Sequence, residues 1–106
     1  MPEDTEARPV LETVAAMTAV ALERSDLPPD MLVLVRLAAL AAVGAPPVSY
    51  LTHVGSAVEA GITMDDVENV LVAVAPIVGT ARVAAAGLSI AEALEFTIEV
   101  AEGETN

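Results

Sequence analysis

The side chains that could carry chemistry are few, and three of them lie close together in the middle of the chain. His53 is the single histidine, and Ser49 and Tyr50 precede it by about one helical turn. Imidazole titrates near neutral pH, so His53 is a candidate general acid or base. The structural alternative is a histidine that is hydrogen-bonded between helices or across a subunit interface. Ser49 and Tyr50 are candidates to orient the ring or contact a ligand, although Tyr50 also suits simple packing.

Two arginines, Arg36 and Arg82, lie in otherwise apolar segments. A guanidinium in such surroundings requires a carboxylate, a row of carbonyls or a bound anion. For Arg36, one interpretation is a structural ion pair with Glu59 or Glu68, and the other is a clamp on a substrate carboxylate. Arg82 has the same two interpretations. If the protein has a site, we expect it where His53 approaches one of these arginines, and we expect it to favour small anions.

The composition excludes several kinds of chemistry. The sequence has no cysteine, which excludes disulfides, thiolate catalysis and cysteine-ligated metals. A single histidine without a second ligand at helical spacing is not a zinc pattern, so we expect neither a metal nor a cofactor. The net charge of −12 disfavours nucleic acid and anionic membranes as partners, because phosphate groups are bound by clustered basic side chains.

The cellular location is predicted from two features that the sequence lacks, a membrane span and an apolar signal core. Residues 37–58 form the longest uncharged run, but Gly44, Pro46 and Pro47 interrupt it, so we expect no membrane span. The acidic first residues contain no apolar signal core. We therefore expect a cytoplasmic protein.

The spacing of apolar residues predicts an all-α, single-domain bundle of five or six helices. We expect residues 1–8 to form an acidic arm, residues 9–102 the helical domain and residues 103–106 a tail. The predicted helices cover about residues 9–24, 31–43, 47–60, 64–78, 80–86 and 90–102. Their predicted ends rest on stops at Gly44 and Gly61, capping boxes at Thr63 and Ser89, a kink or early end at Pro76, and breaks at Gly79 and Gly87.

The helix predicted over residues 31–43 is apolar on all sides except at Arg36. A helix without a polar face is normally enclosed, so we expect this one to be central. Hydrophobic residues make up 55% of the sequence, which is more than one small core needs. We therefore expect a homo-oligomer whose subunits share their cores.

The order of motifs resembles the carboxymuconolactone decarboxylase family. The resemblance covers about residues 32–86 and rests on these segments: Arg36-Leu-Ala-Ala-Leu-Ala-Ala, Gly44-Ala-Pro-Pro, His53, Ala60-Gly61-Ile-Thr63, Val67-Glu68, Val70-Leu71, Ala75-Pro76 and Gly79. The resemblance implies an all-helical, alkylhydroperoxidase-D-like fold. It also implies assembly as trimers or hexamers, with a site near the subunit contacts.

The family has two chemical branches, and this sequence fits only one of them. The peroxidase-type branch uses a Cys-x-x-Cys-x-x-x-His motif together with a glutamate on the preceding helix. Aligned on His53, the two cysteine positions hold Pro46 and Ser49, and the preceding helix has no glutamate. A hydroxyl has too high a pKa to replace the attacking thiolate, so we expect no thiol peroxidase activity.

The second branch resembles cofactor-free decarboxylases that convert a γ-lactone with a free carboxylate into an enol-lactone. That reaction requires an electron sink and a proton donor, roles suited to an imidazole and cationic side chains. His53 matches the histidine of the family. We therefore expect a cofactor-free lyase that acts on a small carboxylate or lactone. A catalytically inactive binding or accessory protein, and a purely structural oligomer, are the alternatives.

Overall fold

The computed structural model describes the backbone of residues 2–105 and the side chains of residues 8–103. The described residues form five helices and no strand: α1 (Pro2–Arg24), α2 (Pro29–Val43), α3 (Pro47–Glu59), α4 (Met64–Val78) and α5 (Thr80–Thr105). The prediction of an all-α fold is confirmed. Met1 and Asn106, at the ends of the predicted arm and tail, lie outside the described residues.

Helix α2 is central, because it packs against α3, α4 and α5. The buried core beside it is small and consists of Ala41, Tyr50, Ala86, Ile90 and Ala93. The prediction that this helix is central is therefore confirmed, but in the single chain α2 is not enclosed on every side. Its outer side is open to solvent, since the Val43 side chain is 73% exposed and those of Met31 and Val35 are about half exposed.

Several helix ends follow the local signals in the sequence. Helix α2 ends at Gly44, whose positive φ of 69° lets the N–H groups of Gly44 and Ala45 return to carbonyls of the last turn. At the start of α4, Asp66 N–H donates to the Thr63 hydroxyl, and Thr63 N–H donates to the Asp66 carboxylate. This capping box is confirmed.

Helix α5 is continuous from Thr80 to Thr105, so the predicted break at Gly87 and the new start at Ser89 are wrong. A glycine inside a helix costs only about 1 kcal/mol relative to alanine. Ala86, Ile90 and Ala93 are buried along one side of α5, and this packing outweighs that cost. The expected tail after residue 102 is part of the same helix.

Two prolines also lie inside helices. Helix α1 begins at Pro2 rather than at Pro9, so the residues expected to form an arm are helical. Helix α4 continues two residues beyond Pro76 and ends before Gly79. A proline inside a helix removes one backbone hydrogen bond, and α4 ends within one turn after Pro76.

Helix α1 stands apart from the other four helices. It makes no close backbone contact with them, and every described side chain from Arg8 to Arg24 is exposed. The radius of gyration is 15.1 Å, against about 13 Å for a globular domain of this length. The accessible surface is 7562 Å², against roughly 5,500 Å² for a monomer of this mass. Among the described residues, no helix has the length and apolar character needed to span a membrane.

Candidate functional site

His53 lies at the boundary between two spaces of different character. It is half-buried on α3, within the turn that follows Ser49 and Tyr50. One of its neighbouring spaces is inside the four-helix body, and the other lies towards α1. We call them the inner cavity and the α1 groove.

The inner cavity lies between α2, α3, the start of α4, and α5, and its volume is about 220 Å³. Its wall is almost entirely apolar. The polar groups come from Tyr50, His53 and Thr63, and the remaining lining residues are Val33, Leu37, Leu40, Val54, Ala57, Val58, Ile62, Met64, Val67, Ile90, Ala93 and Leu94.

The α1 groove lies between α1 on one side and α2 and α3 on the other. Its larger part has a volume of about 590 Å³ and is lined by polar groups of Thr18, Arg36, Thr52, His53, Ser56 and Glu59. A second part of about 330 Å³ shares Thr18, Arg36 and His53 but contains no acidic side chain. We call this second part the acid-free end of the groove.

The guanidinium of Arg36 acts electrostatically on His53, and both side chains line the α1 groove. Burial lowers the pKa of His53 below its usual value, and the positive charge of Arg36 lowers that pKa further. The imidazole is therefore neutral at neutral pH. In the described part of the chain, no residue hydrogen-bonds to the His53 ring. The ring is thus held by packing and remains available to a ligand.

Arg36 has no carboxylate partner within the described residues. The structural ion pair with Glu59 or Glu68, one of the two interpretations of Arg36, is not formed in the single chain. Glu59 lines the larger part of the groove, as Arg36 does, but the two side chains make no salt bridge. Arg36 is half-buried, so its charge is only partly hydrated.

Tyr50 and Ser49 differ in their surroundings. Tyr50 is buried, with 4% of its surface exposed, and its hydroxyl has no hydrogen-bond partner among the described residues. Burial raises the pKa of Tyr50, so the hydroxyl stays protonated. Ser49 is half-buried but lines neither space, and its backbone carbonyl accepts a hydrogen bond from Thr52 Oγ1 at 2.9 Å. Neither Ser49 nor Tyr50 hydrogen-bonds to His53.

Arg82 lies away from His53 and lines neither space. Its side chain extends from α5 to the end of α2, where Nη1 donates a hydrogen bond of 2.6 Å to the carbonyl of Ala42. Carbonyls in the last turn of a helix lack partners within the helix, so Arg82 satisfies one of them. The structure thus places Arg36 beside His53 at the α1 groove and Tyr50 beside His53 at the inner cavity, and it leaves Arg82 outside both.

Thr18 is a candidate residue that the sequence reasoning missed. It lines both parts of the α1 groove, together with the apolar Val14. A signal was present, because Thr18 follows Val14 by four residues and falls on the apolar side of α1. Among the side chains that the structure describes, no three acidic or histidine groups lie close enough together to hold a metal ion.

The sequence model of the carboxymuconolactone decarboxylase family matches residues 8–93. This stretch includes the described part of α1, all of α2, α3 and α4, and α5 as far as Ala93, and therefore nearly all residues around the two spaces. The match covers most of the chain, and the protein belongs to this family. It extends beyond residues 32–86, the segment that carried the resemblance in the sequence. Neither a curated protein nor a solved structure matches the chain.

Proposed function

We propose that the protein is a cofactor-free lyase that acts on a small carboxylate or lactone bound in the α1 groove. The observation that carries this proposal is Arg36, a half-buried guanidinium that lies next to His53 and has no carboxylate partner among the described side chains. The acid-free end of the groove suits the carboxylate best, because Glu59 lines only the larger part and would repel an anion there. Arg36 would bind the carboxylate, and Thr18 would donate a further hydrogen bond.

His53 would act as the general acid and base of a decarboxylation. The bond between the carboxyl carbon and the lactone ring breaks, and carbon dioxide leaves. The electron pair of that bond passes into the conjugated lactone carbonyl, and the ring then takes up one proton. We assign the delivery of this proton to His53.

The charge of Arg36 would couple the protonation of His53 to substrate binding in the proposed reaction. The lowered pKa of His53 keeps the ring neutral at neutral pH. A carboxylate bound to Arg36 opposes the guanidinium charge and favours the imidazolium form. Substrate binding would therefore raise the pKa of His53, and the imidazole would take up the proton that the reaction consumes.

A binding or accessory protein without catalysis is the second candidate function. It is favoured by the absence, within the described residues, of a hydrogen-bond partner that would orient His53. General acid–base catalysts usually have such a partner. On this second proposal Arg36 still binds a small carboxylate, but no bond of the ligand is broken.

We also propose that the functional form is a homo-oligomer, a trimer or a hexamer. The single chain exposes roughly 2,000 Å² more surface than expected for its mass, which is the size of one substantial interface. Much of α1 in this surface is apolar, with Val10, Leu11 and Met17 each about two-thirds exposed. Light scattering at micromolar concentration tests this, and a stable, well-folded monomer would contradict it.

The function itself is tested by incubating the protein with small γ-lactones that carry a free carboxylate, while carbon dioxide release and binding are measured separately. Turnover by the wild type, absent in His53→Gln, would support the lyase. Binding without carbon dioxide release would support the accessory protein. If no carboxylate binds to the folded oligomer, both proposals are refuted.

A further inference from the structure

The larger part of the α1 groove carries two opposite charges that are not paired with each other. Arg36 of α2 and Glu59 of α3 both line this space, but no salt bridge joins them. Within the described residues, Glu59 has no other cationic partner. Glu59 is also the last residue of α3, where a carboxylate opposes the helix dipole. The stability of α3 therefore does not account for an acidic side chain at this position.

The groove residues on α3 indicate how far apart the two charges lie. Thr52, Ser56 and Glu59 recur at helical spacing along the side of α3 that lines the space, and His53 borders this row. The charge of Arg36 acts on His53, and Glu59 follows His53 by six residues. At a rise of about 1.5 Å per residue, this offset is about 9 Å along the axis of α3. A ligand that meets both charges therefore needs its own charges several bonds apart.

The hydroxyl groups beside Glu59 suit a cation better than an anion. The Thr52 hydroxyl donates its hydrogen to the Ser49 carbonyl, so towards the groove its oxygen can only accept. No described residue hydrogen-bonds to the Ser56 hydroxyl, whose oxygen can accept as well. An ammonium group has three hydrogens to donate and no lone pair. Glu59, Thr52 and Ser56 all offer acceptors to such a group in this part of the groove.

We propose that the α1 groove selects a small carboxylate whose opposite end carries an ammonium group, with the carboxylate on Arg36 and the ammonium group on Glu59. The inference rests on the proposed carboxylate site at Arg36 and adds the charge of the far end of the ligand. Three methylene groups between the charges, with a hydrogen bond of about 3 Å at each end, span roughly the required distance. The net charge of −12 also disfavours a dianion relative to a ligand without net charge.

Three probes on a four-carbon chain test this selection: 4-aminobutyrate, butyrate and succinate. Each has a carboxylate at one end, and the other end is cationic, apolar or anionic. Binding is measured by calorimetry on the intact protein. We expect 4-aminobutyrate to bind about threefold more tightly than butyrate and succinate about threefold more weakly, modest factors because Glu59 is exposed. Added salt should reduce both differences, since exposed charges are screened.

Two variants of Glu59 change the charge at the far end of the groove. Glu59→Gln keeps the size of the side chain and removes the charge, so the three affinities should come within about twofold of one another. Glu59→Lys reverses the charge, and succinate should then bind most tightly. Both replacements should be tolerated by the fold, because Glu59 is exposed. Glu68→Gln is the matched control, since Glu68 is an exposed acid that lines neither part of the groove, and it should preserve the wild-type order.

The outcomes distinguish this inference from the proposed function on which it rests. If the three probes bind the wild type and Glu59→Gln with the same relative affinities, the selection by Glu59 is refuted. The carboxylate site then still stands, provided that Arg36→Met weakens binding of butyrate and succinate. If neither butyrate nor succinate binds the folded wild type, the carboxylate site itself fails, and this inference fails with it. An order that inverts in Glu59→Lys and persists in Glu68→Gln would establish the selection.

Discussion

The two spaces beside His53 are built in different ways, and their chemistry differs accordingly. The inner cavity lies where four packed helices leave a gap, so its wall consists of the apolar sides that face the core. The α1 groove lies where a helix stands away from that body, so its wall includes the polar borders of α2 and α3. The His53 imidazole therefore faces two environments, one suited to neutral groups and the other suited to anions.

This comparison also explains why His53 is neutral. Burial beside the apolar cavity disfavours the imidazolium, and the guanidinium on the groove side has the same effect. Both causes lower the pKa, but only the second can be cancelled by a ligand. An anion beside Arg36 would raise the pKa of His53. A neutral molecule in the cavity would only exclude water from the imidazole ring.

Replacement of the imidazole should have the largest effect. His53→Ala should reduce carbon dioxide release at least about 100-fold, because the proton donor is lost. The free energy of unfolding should change by no more than about 1 kcal/mol, since no described residue hydrogen-bonds to the half-buried ring and would be left unpaired. Turnover and denaturant unfolding are measured on the same sample. A variant that loses several kcal/mol or fails to assemble would indicate a structural role for His53.

Removal of the Arg36 guanidinium should weaken ligand binding in the α1 groove alone. Arg36→Met keeps an unbranched apolar stem but removes the guanidinium, and it should weaken succinate binding about 10- to 100-fold, the effect of one charge-assisted interaction. Arg8→Met is the matched control, because Arg8 is exposed and lines neither part of the groove. Unchanged succinate affinity in Arg36→Met would show that the groove does not hold the carboxylate.

A carboxylate introduced on α1 should occupy the place of the ligand. Thr18→Asp adds a carboxylate to a residue that lines both parts of the groove, where it would pair with Arg36. We expect about tenfold weaker succinate binding and a higher pKa for His53, observed by NMR titration of its ring protons. Ala19→Asp adds the same charge to a neighbouring exposed residue and should produce neither change. Equal behaviour of the two variants would mean that α1 does not form a wall of the site.

The lowered pKa of His53 also predicts how stability depends on pH. The unfolded chain binds a proton near pH 6.5, whereas the folded chain binds it only at lower pH, so the stability contributed by the neutral ring is present above about pH 6.5. It is lost as the pH falls from there through the folded pKa. The unfolding free energy of the wild type should therefore fall more steeply below pH 6.5 than that of His53→Gln. The other titratable groups around the ring, Arg36, Glu59 and Tyr50, are the same in both proteins. Parallel curves would contradict the assigned shift.

Helix ends that depend on local chemistry could be predicted from the sequence, whereas features that depend on tertiary packing could not. The stop at Gly44 and the capping box at Thr63 require only neighbouring residues, and both are present. The continuity of α5 through Gly87 depends on the burial of Ala86 and Ile90 against other helices. A single sequence gives no measure of that burial.

The same distinction applies to the candidate site. Ser49 and Tyr50 lie near His53 because they belong to the same helical turn, which the sequence makes explicit. The proximity of Arg36 to His53 depends on how α2 and α3 pack, and the sequence left Arg36 and Arg82 as equal candidates. The inner cavity and the unpaired Tyr50 hydroxyl are properties of the packed helices, so no sequence pattern predicted them.

Replacement of Arg82 should have the smallest effect. This variant tests whether Arg36 and Arg82, which the sequence could not distinguish, have different roles. Arg82→Met removes the hydrogen bond to the Ala42 carbonyl and should lower the free energy of unfolding by about 1 kcal/mol. Succinate binding should not change, because Arg82 does not line the groove. Arg8→Met is again the control and should lie within about 0.5 kcal/mol of the wild type, as exposed substitutions usually do. A large loss of succinate affinity in Arg82→Met would mean that the functional assembly brings Arg82 to the carboxylate, for example from a second subunit, and the site would then have to include it.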